Sequence, residues 1–317
     1  MEKKDLRIIF MGTPEFAVGT LSKLVEGGYN VVAVVTQPDK PVGRHQDTLQ
    51  PSEVKKYALE HGLPVLQPVK MKDPAFIEQL SSYNADLQVV VAFRMLPEVV
   101  WAMPKYGTFN VHAALLPKYR GAAPINWAVI NGEIETGVTT FFLDHDIDTG
   151  RIIDRMKFAI PDDADVEYVY DGLMKLGAEL ALQTVDKVIE GNGVVKSEEQ
   201  STFVGADEVL PEAPKIFKET CEINWNQTAK KVYDFVRGLS PYPGAWGNVT
   251  INESPLTIKV FKTAKTDKSS TSVSGSLFAD KGHLYVNCQD KVLEILQLQQ
   301  AGKKRMSAQD FINGKRL

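Results

Sequence analysis

Residues 6–35 run apolar strand, amphipathic helix, apolar strand, and few folds accept that order. Residues 6–11 are almost wholly apolar and stop at Gly12-Thr13-Pro14. Residues 15–25 place Phe16, Leu21, Leu24 and Val25 at helical spacing, and Gly27-Gly28 ends the run. Residues 31–35 form a second continuous apolar stretch. Strand, helix and strand in this sequence join in parallel through a right-handed crossover. The expected class is therefore α/β, with a doubly wound, mostly parallel, Rossmann-like sheet. Later segments continue the pattern. Residues 52–61 and 73–81 predict helices, 65–66 a short strand, and 87–93 a continuous apolar strand of the kind buried on both faces. Residues 165–190 predict a long helix that turns Val169, Leu173, Leu176, Leu180 and Val188 toward the sheet. Gly12 stands alone, without GxGxxG spacing, so a nicotinamide dinucleotide site is excluded.

The texture changes in the last third. Residues 191–210 carry glycine and acidic residues with weak periodicity and suit a linker. A helix over 228–239 follows, then short strand candidates at 246–251, 256–261, 272–278, 284–288 and 292–298. Five short strands predict a small β-barrel. The expected organisation is a first domain over 1–190, a linker over 191–210 and a second domain over 211–317. Charge divides the same way. The chain carries a net charge of −4, yet residues 211–317 hold 16 Lys and Arg against 10 Asp and Glu. A basic module on an acidic one suits a polyanionic partner. Cys221 and Cys288 are far apart and in no CxxC pattern, which excludes a disulfide framework and a zinc site and suits a reducing compartment. There is no long signal-peptide core after Met1 and no apolar run of membrane-spanning length, so the expected location is cytoplasmic, with no membrane contact.

Chemistry concentrates in residues 109–150. Period-two alternation in the expected strand 108–112 puts Asn110 and His112 on one face and Val111 on the other. A second expected strand, beginning at Val138, runs into Asp144-His145-Asp146-Ile147-Asp148-Thr149-Gly150. Carboxylates at a strand's C-terminal end lie where open α/β sheets form their crevices. Taken singly, a histidine is more often structural than catalytic, an asparagine more often closes a turn, and an acidic run is usually solvated. The acidic run also fails as a calcium loop, because Thr149 and Arg155 stand where glycine and glutamate are needed. An amide, an imidazole and a carboxylate converging on one site carry more weight than any of them alone. Residues 37–50 form a second feature, a long polar loop of the kind that is often functional.

The Asn-x-His pair, the following Leu-Leu-Pro, Tyr119-Arg120-Gly121-Ala122-Ala123-Pro124-Ile125 and the distal Asp148-Thr149-Gly150 resemble the folate-dependent formyltransferases. Residues 8–17, Thr36-Gln37-Pro38-Asp39-Lys40-Pro41 and Ala301-Gly302-Lys303-Lys304-Arg305-Met306 point to the branch acting on initiator Met-tRNA. The resemblance implies Asn110, His112 and Asp148 as catalytic residues and Ala114-Leu115-Leu116-Pro117 as the folate-contacting segment. It implies 10-formyltetrahydrofolate as formyl donor, no metal, an OB-like second domain, and a monomer. It further implies that Arg44 reaches the acceptor end of the tRNA, while Lys303, Lys304 and Arg305 extend a basic surface. Three departures stand out. Ala114 replaces a common serine, Phe93-Arg94-Met95 replaces a glycine-bearing stretch, and His45-Gln46-Asp47 makes the 37–50 loop less basic. Formyl transfer to an amine needs donors for a developing oxyanion and a route for one proton, which an amide, an imidazole and a carboxylate supply without a nucleophile motif. The alternatives are a nucleotide-sugar or glycinamide ribonucleotide formyltransferase, or a non-catalytic tRNA-binding protein.

Overall fold

Seven strands form the first sheet, in the order Ile152–Ala159, Glu135–Phe142, Thr108–His112, Leu87–Val91, Ile8–Gly12, Val31–Val35, Val65–Leu66. The structure, a computed structural model, describes residues 1–42 and 48–315, and Arg44 lies outside the described residues. The strands from Thr108–His112 to Val65–Leu66 pair in parallel. Every residue of Ile8–Gly12 and of Leu87–Val91 is buried, as helices on both faces require. The helix Glu15–Glu26 covers one face with Phe16, Ala17, Leu21 and Leu24. Gly12 has no room for a side chain, since an added Cβ would sit 2.9 Å from the Val91 carbonyl oxygen. Helix starts are capped locally: the Ser52 hydroxyl accepts from Lys55 N ahead of Glu53–Glu60, and the Asp73 carboxylate from Ala75 N ahead of Pro74–Ser82.

The Glu135–Phe142 strand joins the sheet antiparallel, with Asn110 opposite Phe141 and His112 opposite Thr139. Its C-terminal end thus lies beside the start of Thr108–His112, not beside His112. The expected strand leading to Asp148 and the strand of His112 therefore do not share a C-terminal rim.

The chain divides into two compact units. The first comprises Met1–Gly121, Gly137–Phe158 and Tyr170–Pro211; the second comprises Ala122–Thr136, Ala159–Val169 and Glu212–Leu317. The polar segment after the long helix Val166–Glu190 stays with the first unit. Ile152 and Glu198 exchange two backbone bonds of 2.8 Å, and Arg151 holds the Ser197 carbonyl and the Glu199 carboxylate.

In the second unit the strands Ala245–Ile251, Ser254–Ser269, Lys291–Gln300, His283–Asn287 and Leu277–Asp280 form an antiparallel sheet in that order. A bridge between Thr250 and Ser276 ties the two ends together, so the sheet curls around its core. Trp225, Val232, Val236, Ile258, Leu284 and Leu293 lie in that core. The helix Ala229–Gly238 starts at a Thr228 cap, and its first amide, Ala229 N, donates to Asp290 Oδ1 at 2.7 Å. Asn126 Nδ2 reaches the Gly238 carbonyl at 2.9 Å and Trp127 Nε1 the Pro214 carbonyl at 2.8 Å, which fastens Pro124–Ile130 into this unit.

Some elements differ from expectation. The 37–50 stretch holds a short antiparallel hairpin, Lys40–Val42 with Thr48–Gln50, too brief and exposed to leave a periodic signal. The strand expected at 272–278 begins only at Leu277, because Ser276 N donates to the Val273 carbonyl at 3.0 Å and closes a turn ahead of it, while Asn287 Oδ1 ties down Ser270 and Thr271. The strand at 256–261 extends over sixteen residues. A helix, Ala308–Lys315, closes the described chain and buries Phe311 and Ile312.

Candidate active site

His112 is buried at the end of its strand, with both ring nitrogens accounted for. Nε2 lies 2.8 Å from the Tyr119 carbonyl oxygen. A carbonyl only accepts, so Nε2 carries the hydrogen and Nδ1 is the nitrogen left for chemistry. Nδ1 stands 3.8 Å from Asp148 Oδ2. That spacing is too long for a direct hydrogen bond and leaves both groups close enough to act on one substrate or water. The same Oδ2 accepts from Gly121 N at 3.0 Å. The segment 143–149 therefore returns from the far end of Glu135–Phe142 to bring Asp148 to His112. Asp148 has φ of 56°, in the left-handed region.

Asn110 lies on the same strand face. Its Oδ1 is buried without a hydrogen-bond partner among the described residues. A buried carbonyl oxygen left unpaired costs about 1–3 kcal/mol, which marks a place where a ligand or water completes the site. Phe141, across the strand from Asn110, stands edge-on to the His112 ring at 6.5 Å between centroids. The three residues singled out from the sequence thus share one neighbourhood.

Of the 114–117 segment, the Ala114, Leu116 and Pro117 side chains are buried and Leu115 is partly exposed. Thr139 organises the arc: its hydroxyl donates to the Ala114 carbonyl at 2.6 Å and accepts from Leu116 N at 3.1 Å. Arg155 donates to the Leu116 carbonyl at 3.1 Å while its guanidinium lies 3.8 Å over the Phe203 ring, and burial pushes its pKa down. Arg94, past the end of Leu87–Val91, donates to the Val69 and Pro68 carbonyls; its Nε is buried without a partner among the described residues, and burial lowers its pKa also.

Sequence reasoning missed several groups. Thr139 looked like an ordinary strand residue. Tyr119 and Gly121 stand in the motif but carried no assigned role. Gln200 gave no signal at all, yet it donates to the carbonyls of Asp148 and Gly150.

In the second unit, Lys303 and Lys304 follow the Lys291–Gln300 strand with exposed side chains. Arg305 lies 3.6 Å over the Phe261 ring and donates to the Pro241 carbonyl at 3.3 Å. Lys265 and Lys268, on the Ser254–Ser269 strand of the same unit, are paired with Asp162 and Asp280.

Residues 6–185 match the formyl transferase family, and residues 215–316 match the formyl transferase C-terminal domain. The methionyl-tRNA formyltransferase of Parabacteroides distasonis is 57% identical over 316 residues, covering 99% of this chain and 97% of that protein. Among solved structures, the N-formyltransferase from Helicobacter canadensis, in complex with folinic acid and dTDP-3-aminofucose, superposes with a TM-score of 0.63 at 19% identity, covering 93% of this chain and 99% of the other. HypX from Aquifex aeolicus, in complex with tetrahydrofolic acid, gives a TM-score of 0.63 at 17% identity, covering 97% of this chain and 47% of its own. This chain spans about half the length of HypX. The two structural likenesses show the fold.

Proposed function

We propose that this chain, which belongs to the formyl transferase family, transfers a formyl group from 10-formyltetrahydrofolate to the methionine amino group of initiator Met-tRNA. Near-complete coverage at high identity to enzymes of that name supports the substrate pair. The observation that carries the chemistry is the imidazole of His112, fixed through Nε2 on a carbonyl, with Nδ1 free beside Asp148.

The amine nitrogen attacks the formyl carbon, and the carbonyl π pair moves onto oxygen to give a tetrahedral oxyanion. The Asn110 amide and a protonated His112 donate to that oxygen; such a preorganised donor is worth about 3 kcal/mol. Asp148 takes the amine proton through a water. The bond from the carbon to the folate nitrogen then breaks, and that nitrogen receives a proton from His112. One proton leaves the amine and one reaches the departing nitrogen, so the step balances.

Residues 114–117 contact the folate mainly through backbone and the Leu115 side chain, since Ala114 and Leu116 are buried. Chemistry belongs to residues 1–190, with the 191–210 stretch packed on that unit, and tRNA holding to 211–317. Lys303, Lys304 and Arg305 draw phosphates, and Arg44 places the acceptor end. The protein works as a monomer in the cytoplasm. A competition assay tests the assignment: 10-formyltetrahydrofolate is offered with Met-tRNA, glycinamide ribonucleotide and an amino-sugar nucleotide together. Formylation confined to Met-tRNA is expected, and preferential formylation of either other acceptor overturns the reading.

A further inference from the structure

We propose, on the catalytic reading of Asp148 given above, that Gln200 is a positioning residue that holds Asp148 against His112 through its main chain. Asp148 adopts a left-handed conformation, which a non-glycine residue keeps only when its surroundings impose it. Two contacts impose it. Gly121 N anchors the carboxylate at 3.0 Å. Gln200 Nε2 donates to the Asp148 carbonyl at 2.7 Å and to the Gly150 carbonyl at 2.9 Å, clasping the turn from both sides.

The glutamine cannot turn over. Its Oε1 accepts from Arg120 Nε at 3.0 Å and from a terminal nitrogen of the same guanidinium at 2.6 Å, so its NH2 must face the two carbonyls. Gln200 is only 4% exposed, and the paired backbone bonds between Ile152 and Glu198 hold its segment in place. Three consecutive residues then close a circuit. Tyr119 accepts from His112, Arg120 orients Gln200, and Gly121 donates to Asp148. Releasing the glutamine frees the Asp148 backbone and with it the 3.8 Å separation of carboxylate and imidazole.

The test is a mutant cycle. Q200E keeps the acceptor for Arg120 and removes both donors to the turn; Q200L removes all of these bonds. Each should lower kcat about 10–100-fold, as small misplacements of a catalytic group do, with KM for tRNA and for the formyl donor little changed. Circular dichroism and melting follow folding, and where Q200L does not fold, Q200E carries the comparison. In a D148N background, adding Q200E should have no further effect on kcat, because the glutamine acts through Asp148. Wild-type kcat in folded Q200E overturns the proposal, as does a Q200E loss that persists undiminished on D148N. Wild-type kcat in D148N alone overturns the catalytic reading of Asp148 itself, a failure visible without any change at position 200.

Discussion

Replacing Thr139 with valine removes one oxygen while keeping a β-branched side chain in a strand. That oxygen donates to the Ala114 carbonyl and accepts from Leu116 N, and all three residues are 0% exposed. Each buried backbone group left unpaired costs about 1–3 kcal/mol, giving about 2–6 kcal/mol for the two. The added methyl returns about 0.8 kcal/mol of apolar burial, so the expected net loss is about 1–5 kcal/mol. Thr139→Ser keeps both hydrogen bonds and deletes one buried methyl, a loss of about 1 kcal/mol. Urea unfolding followed by tryptophan fluorescence should rank wild type above Thr139→Ser, and Thr139→Ser above Thr139→Val. A valine variant as stable as the serine variant would refute the role given to the hydroxyl. Since Ala114 lies two residues beyond His112, Thr139→Val should also raise KM for the formyl donor, and an unchanged KM would detach the arc from the donor site.

Asn110→Ala, His112→Ala and Asp148→Ala should each slow single-turnover formylation by about two to four orders of magnitude, measured at a temperature where each variant is folded. His112→Ala and Asp148→Ala also leave the Tyr119 carbonyl and Gly121 N unpaired and should lower the melting temperature. Near-normal turnover in folded His112→Ala removes the assignment. Replacing Lys303, Lys304 and Arg305 together by alanine should flatten the salt dependence of tRNA binding, whereas Arg44→Ala should depress turnover more than affinity; an unchanged salt slope in the triple variant contradicts the first half. The backbone amide of Ala229 holds the Asp290 carboxyl below the ordinary carboxylate range. A pKa lowered on folding adds stability above the unfolded value near 4 and loses it as pH falls through the folded value. The melting-temperature gap between wild type and Asp290→Asn should therefore be steady above pH 5 and close on acidification, and a gap that widens in acid reverses the sign. A chain cut after Gly205 leaves Asn126 and Trp127 without their partners and Ile130 without its core. It should be aggregation-prone, and a soluble fragment with a cooperative melt disproves this.

The parallel half of the first sheet was legible because strands buried on both faces must be continuously apolar, and Ile8–Gly12 and Leu87–Val91 are. The direction of Glu135–Phe142 was not, since alternation carries no polarity, and Thr136, Thr139 and Thr140 put hydroxyls into a buried strand. Asn110 and His112 could be assigned to one face from period two alone. The return of Asp148 to His112 depends on bonds to Gly121 and Gln200 that span 27 and 52 residues, beyond any local pattern. Lysine counting pointed to a basic surface but could not tell Lys265, neutralised by Asp162, from Lys303, which is exposed.

The second unit takes Ala122–Thr136 from the middle of the chain and its core helix from far downstream. On the ribosome, Pro124–Ile130 emerges long before Ala229–Gly238 exists. At about 5–20 residues per second, the roughly 100 residues between them take about 5–20 s to synthesise. For that interval Ile125, Ala128 and Val129, all buried in the finished protein, have no partner helix to cover them. The order of synthesis thus sets a window of exposure that the finished fold conceals, and its length follows the translation rate of the segment between residues 131 and 238.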